Sequence, residues 1–225
     1  MHKITLVCSV HRENGLCNAD DLLKILRAIE PEVVFEEMRP SEFDLYYEHG
    51  SVEAHAINKY RKFKLFQPVP VDKYDMPKDL LAEIKRDFDS VLDCVARASQ
   101  EHRLLCEEND ASVHQYGFSY LNSVAFAIKS ARMSEIEEMV IRETYNQNLI
   151  RGLERWRHFV QSREHEMVGN IYEYCRKNTF DTGVFLVGAA HKTGIAKEAE
   201  KYISSEADLI NWNFAYDGLI ASGST

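Results

Sequence analysis

Four apolar runs in this chain stop at a side chain able to bind a metal or move a proton. Ile4 to Val10 ends at His11, Val33-Val34-Phe35 at Glu36-Glu37, and Phe66 to Val71 at Asp72. Val184 to Val187 runs through the small residues Gly188-Ala189-Ala190 to His191. Two imidazoles and one or two carboxylates in one pocket would make a ligand set for Mn, Co, Fe or Zn, or a metal-free acid/base pair. Neighbouring strand residues point to opposite faces, so Glu36 and Glu37 cannot share one role; one faces the pocket and the other supports it or turns toward a helix.

Positioning these groups requires the runs to be parallel strands with their carboxyl ends on one rim of a sheet. The segment Val184 to Tyr202 shows the logic best. A short apolar strand meets residues of minimal bulk, then His191, then a helix capped by Thr193 with Ile195, Ala199 and Tyr202 at helical spacing. That places an imidazole at a strand's carboxyl end, where open α/β sheets bind ligands. The first 37 residues read strand, helix, strand: Asn18 caps the helix, its buried face carries Leu22, Leu23, Ile25, Leu26 and Ile29, and Pro31 closes it. Such a unit implies parallel strands and a right-handed crossover. Ser51 to Lys62 reads as a helix, and the prolines in Phe66 to Val71 make that run an edge strand or a short, interrupted one.

From Pro77 to Lys177 the pattern turns helical. One helix carries Leu80 to Val95, a second surrounds Val124 to Ile128, a capping box at Ser134 to Glu137 opens a third, and a fourth contains Arg163 to Met167. A final strand spans Asp208 to Phe214, and Gly218 to Thr225 forms a tail. The fold class is α/β, a single domain over 1–225 with a mostly parallel central sheet and a helical layer, 77–177, inserted between the early and late strands.

The chain has 225 residues, 45% hydrophobic and 28% charged, ordinary for a folded soluble protein with one core. A net charge of -9 argues against nucleic acid as the main partner, because phosphate contacts need clustered cations, but leaves a small anion open. Five scattered cysteines without a C-x-x-C pair fit a reducing compartment. The apolar stretch before His11 is too short for a signal peptide, and no run reaches membrane-spanning length, so a cytoplasmic protein is expected.

Taken singly, each residue has a plainer reading. A histidine at a strand end is more often a hydrogen-bonding group than a ligand, Glu36-Glu37 reads as a solvated strand end, and Asp72 as a turn residue before Lys73. Arg163 and Glu166 read as a surface pair worth under about 1 kcal/mol. His49, His55, His102, His114, His158 and His165 read as surface or packing residues, and Cys8 as a small core residue.

Together, Cys8-Ser9-Val10-His11, Glu36-Glu37, Arg163 with Met167 and Ile171, and Gly188-Ala189-Ala190-His191 resemble the paired G-x-x-H, the Glu-Glu and the central Arg of the TraB/PrgY and Tiki superfamily. That superfamily is distantly related to erythromycin esterases and ChaN-like haem-binding proteins. Ser162 to Ile171 is similar to the R-[DE]-x-x-M-x-x-N-I helix of the esterase branch. The resemblance implies a divalent-metal site held by His11, His191 and Glu37 or Glu36, with Arg163 reaching the same pocket. There a metal-activated water would cleave a peptide or other amide, or an ester, with the second carboxylate as general base and Arg163 on the oxyanion. Cys8 stands where the family usually has glycine, and the membrane-spanning tail of several TraB/PrgY proteins is not seen. The rivals are a metal-free esterase with a histidine base, a pocket that holds haem or a nucleotide-like anion without turnover, and a degenerate structural member of the family.

Overall fold

The computed structural model describes residues 1–42, 47–48, 50–72 and 76–215. His49, Lys73 beyond the Asp72 turn and the expected tail lie outside them. Five strands, β1 (His2–Ser9), β2 (Val33–Glu36), β3 (Gln67–Pro70), β4 (Thr182–Gly188) and β5 (Ile210–Asn213), form one sheet in the order β3-β2-β4-β1-β5. Every pairing is parallel. The strands are apolar on both faces because helices cover both, as in parallel sheets generally.

Helix α1 (Ala19–Ile29) begins at Asn18, whose side chain accepts from the Asp20 and Asp21 amides, and ends at Glu30 in the left-handed conformation before Pro31. Helix α2 (Val52–Tyr60) is capped by Ser51. The prolines of β3 do place it at the sheet edge. Right-handed crossovers from β1 through α1 to β2 and through α2 to β3 put both helices on one face. The return from β4 to β5 runs the opposite way along the sheet and puts its helix, α7 (Lys192–Ile203), on the other. The chain therefore leaves β1 and β4, which are neighbours, toward opposite faces. Such a switch opens a crevice beyond their carboxyl ends.

Between β3 and β4 lie α3 (Lys78–Ala98), α4 (Gln100–Leu121), α5 (Val124–Glu143) and α6 (Gln147–Lys177). The helical boundaries differ from expectation. Ser134 to Glu137 opens nothing: α5 starts at the Ser123 cap and runs through it. The expected third and fourth helices share α6, which starts at the Asn146 cap after a left-handed Tyr145. Thr193 does not cap α7, because a short 3-10 turn, Ala189–His191, feeds directly into the helix. The 31 residues of α6 extend about 46 Å at 1.5 Å per residue. Its C-terminal half packs in the main core through Met167, Val168, Ile171 and Tyr172. Its N-terminal half joins a second apolar cluster of Val91, Val95, Ile136, Val140, Ile141 and Leu153. Arg163 and Glu164 sit between the two. No helix among the described residues is long and apolar enough to cross a membrane.

Candidate active site

The crevice between β1 and β4 is a cleft of about 720 Å³ whose walls include His11, Glu37, Arg163 and His191. Parallel pairing sets Ser9 opposite Gly188, so the residues just past both strands, His11 and His191, rise on the same rim. Strand alternation sends the two glutamates to opposite faces. Glu37 lines the cleft. Glu36 points the other way, is 1% exposed, and accepts from Tyr47 Oη at 2.5 Å. Burial raises the Glu36 carboxyl to about 7 against the opposing Tyr47 bond, so it is a buried acid behind the sheet, not the cleft carboxylate expected of it.

Arg163 comes from the middle of α6. Its Nη2 donates to Glu37 Oε1 at 2.6 Å and Asp72 Oδ2 at 2.8 Å, and its Nε to the same Asp72 oxygen at 3.1 Å. It is therefore no surface partner of Glu166, and Asp72 is neither a turn residue nor a wall of the cleft: it holds the guanidinium. The Phe159 ring lies 5.6 Å from that guanidinium. Across the site the Gly188 amide donates to Glu37 Oε2 at 2.7 Å.

His191 has a carboxylate at each ring nitrogen, Glu164 Oε1 2.9 Å from Nδ1 and Glu37 Oε1 3.3 Å from Nε2. Both contacts are satisfied together only by the doubly protonated ring. Burial pulls the His191 pKa down, but the bonds to Glu164 and Glu37 and the charge of Glu37 outweigh it and raise the group to about 9. Burial likewise pushes Glu37 up, and His191, Arg163 and the Gly188 amide reverse it, leaving the carboxyl well below its usual range. The site thus contains a fixed imidazolium and a fixed guanidinium beside buried carboxylates.

The sign of the pH dependence follows. A histidine raised from 6.5 to about 9 contributes about 3 kcal/mol of stability that is complete below its unfolded value and lost as pH rises through the folded one. Glu37, shifted the other way, contributes a constant amount over that window. The urea midpoint is expected to fall between pH 6.5 and 9.5, and His191→Gln to flatten that slope.

His11 lies on the opposite side of the cleft, its side chain 64% exposed. Its Nδ1 is 3.3 Å from Glu53 Oε1, and Ser9 Oγ donates to the same oxygen. Glu53, 4% exposed in the second position of α2, was not anticipated from the sequence. Its bond is the chief cause of a raised His11 pKa, with burial opposing. The arrangement fixes the proton on Nδ1 and leaves Nε2 a free base. A point one methyl group above Gly188 is 3.3 Å from Glu37 Oε2 and 3.7 Å from His11 Nε2, so the base and the charged network face each other across a narrow gap.

Two further residues outside the expected set hold this geometry. Asn122, at the end of α4, accepts from the Cys8 amide at 2.8 Å and donates to the Cys8 carbonyl at 3.0 Å. It supplies the pairing that β5 withdraws, since β5 reaches only Thr5 along β1. Lys192, next to His191, donates to the Asn122 carbonyl and so links the two strand ends. Glu164 runs so close to α7 that a Cβ on Gly194 would fall 2.0 Å from its Oε2. Gly194→Ala is therefore expected to push Glu164 off His191 and lower Tm, although Gly→Ala in a helix ordinarily stabilises by about 1 kcal/mol. A thermal melt checks it.

The residues present do not fit the expected metal. Among the described residues no three His, Cys, Asp or Glu side chains gather to hold one. The space between Glu37, Asp72 and His191 is filled by the Arg163 guanidinium, and both nitrogens of His191 already face carboxylates. His11 and His191 therefore share a cleft with Glu37 without forming a ligand set. What the arrangement can do is take a proton at His11 Nε2 and stabilise negative charge opposite it. Comparison with known proteins gives no match: no family model, no curated protein and no solved structure matches the chain.

Proposed function

We propose that this chain is a metal-free hydrolase of esters, in which His11 activates water and the Arg163–His191 side of the cleft stabilises the tetrahedral oxyanion. The observation that carries the reading is the pairing of a carboxylate-oriented imidazole, Glu53 to His11, with a buried imidazolium–guanidinium network across the same gap. His11 Nε2 removes a proton from water as its oxygen attacks the carbonyl, and the imidazolium so formed is stabilised by Glu53 and can protonate the leaving alcohol. Arg163 Nη1 has no carboxylate partner among the described residues; one of its N–H groups points at His191 Nε2 at 3.4 Å, and the other is available to the oxyanion.

Charge balance supports a neutral substrate. Glu37, Asp72 and Glu164 outnumber the two cations, so the site has no excess of positive charge to attract a phosphate or polyanion. An ester, which needs less activation of its leaving group than an amide, suits a centre without a Lewis acid. The resemblance to the antibiotic-esterase branch points the same way.

The test is turnover of a panel of acyl esters in the presence of a strong chelator. Hydrolysis that persists in chelator is expected. Activity abolished by chelator and restored by Mn or Zn would return the site to the metal reading, and no turnover of any ester would remove the hydrolase reading.

A further inference from the structure

Behind the Arg163–His191 wall lies a second cavity, of about 520 Å³, inside the helical layer. Its lining includes Phe88 and Leu92 of α3, Met133 of α5, and Leu153, Trp156 and Val160 of α6. All except Leu153 are only half-buried, although each is large and apolar. Phe88 stacks on Trp156 at 4.5 Å with planes 8° apart, giving one side a flat aromatic surface. Trp156 in turn contacts Phe159 at 5.7 Å, the ring over which Arg163 sits. Arg163, Ala190 and His191 line both this cavity and the polar cleft.

We infer that the second cavity is a subsite for the apolar acyl or aryl group of the substrate, placing the reacting carbonyl at the Arg163–Ala190–His191 boundary. The inference rests on the ester-hydrolase reading for the identity of that substrate, but the cavity's affinity for an apolar chain does not. The three residues that line both spaces commit the occupant. A group long enough to enter it must remain attached to something held at the wall that both spaces share. The lining also carries the His102–Glu137 pair and Arg157, so the apolar side chains form part of the wall and polar groups the rest; ligand pockets characteristically bury the apolar body of a ligand and orient it by a few polar groups. Here the polar end is already built. A chain entering the cavity displaces water from surfaces that stay partly exposed without it, which is the source of binding energy.

Two readouts separate this proposal from the hydrolase reading. In the first, kcat/KM is measured for esters from acetyl to octanoyl; it should rise roughly fourfold per added methylene until the cavity is filled. Val160→Trp, which projects an indole into the cavity without touching His11 or Glu53, should stop the rise at a shorter chain and leave acetyl-ester turnover unchanged. Met133→Trp, approaching from α5, is the second variant should the first fail to fold.

The second readout is binding of 2-octanone, an uncharged ester mimic that cannot be hydrolysed, followed by tryptophan fluorescence with 2-butanone as the short control. The long ketone should change the emission in wild type and not in Trp156→Phe. Ester turnover with no chain-length preference and no response to 2-octanone overturns the subsite and leaves the hydrolase standing. A Trp156-dependent response without turnover of any ester supports the cavity as an apolar ligand site while removing the hydrolase. Neither response overturns both.

Discussion

Replacing His11 with alanine is expected to lower kcat/KM for ester hydrolysis by about 10²- to 10⁴-fold, the range that a positioned general base contributes. The urea midpoint should hardly change, because the His11 side chain is 64% exposed and leaves no cavity when removed. Glu53→Gln should act through the same imidazole. The glutamine keeps the shape but can present an N–H to Nδ1, which favours the tautomer with its proton on Nε2, the wrong nitrogen for a base facing the cleft. The pH profile distinguishes orientation from mere packing. As a base His11 works when neutral, so log kcat/KM rises with pH and flattens above its pKa. That pKa stands above 6.5 chiefly because of the bond to Glu53, so the inflection should move down toward 6.5 in Glu53→Gln. An unshifted inflection, or a His11→Ala enzyme with undiminished turnover, would mean that the water is activated elsewhere.

The strand ends were legible in the sequence because a buried parallel strand is written locally, as a short apolar run that breaks at its first polar residue. His11, Glu37, Asp72 and His191 were found that way. The alternation rule separated Glu36 from Glu37 but could not say which faced the cleft, since that depends on the helices packed on each side. The residues that tune the site were not legible for a related reason. Glu53, Glu164 and Asn122 are polar residues of helices, and nothing in helical spacing distinguishes a buried carboxylate from the solvated ones around it. Only the approach of another element makes that difference: Gly194 lets Glu164 come close to α7, and the short reach of β5 leaves Cys8 for Asn122.

The segment from Ser99 to Asn122 reads only as part of the helical layer, with no helix of its own, and its structure shows why. α4 is broken at Gly117, with φ 53° and ψ -132°, so no single apolar face persists along it. The break is needed: a Cβ there would sit 2.3 Å from the Leu16 carbonyl, where the loop after β1 crosses the helix. Ser134 misled in the opposite direction. A capping box has the same residues whether it opens a helix or lies within one, and the Ser123 cap upstream made it redundant.

Arg163→Ala is expected to cost about 3–5 kcal/mol of stability, the usual effect of removing one member of a buried ion network. The side chain is 17% exposed and bridges Glu37 and Asp72, whose own side chains are 8% and 6% exposed. Among the described residues Asp72 Oδ1 has no hydrogen-bond partner, so losing the guanidinium would leave that carboxylate with little to offset its desolvation. Lysine should recover only part of the loss, because a single ammonium cannot reproduce the two-sided fork.

The pH dependence of the Arg163→Ala deficit provides the stricter test. Without Arg163 the Glu37 carboxyl loses one of the charges that hold it below its usual range, and its pKa rises. A carboxylate raised in the folded state destabilises it at neutral pH and ceases to do so as it protonates. The gap in urea midpoint between wild type and Arg163→Ala should thus be widest near neutrality and shrink toward about pH 4, the ordinary carboxylate range. The triple variant Arg163→Leu, Glu37→Gln, Asp72→Asn, in which no buried charge is orphaned, should regain much of the stability at pH 7 yet remain inactive. Removing the oxyanion's partner alone costs about 10²- to 10³-fold in kcat. A pH-independent gap would show that Arg163 stabilises the fold by packing on Phe159, and that Glu37 and Asp72 are solvated well enough not to need it.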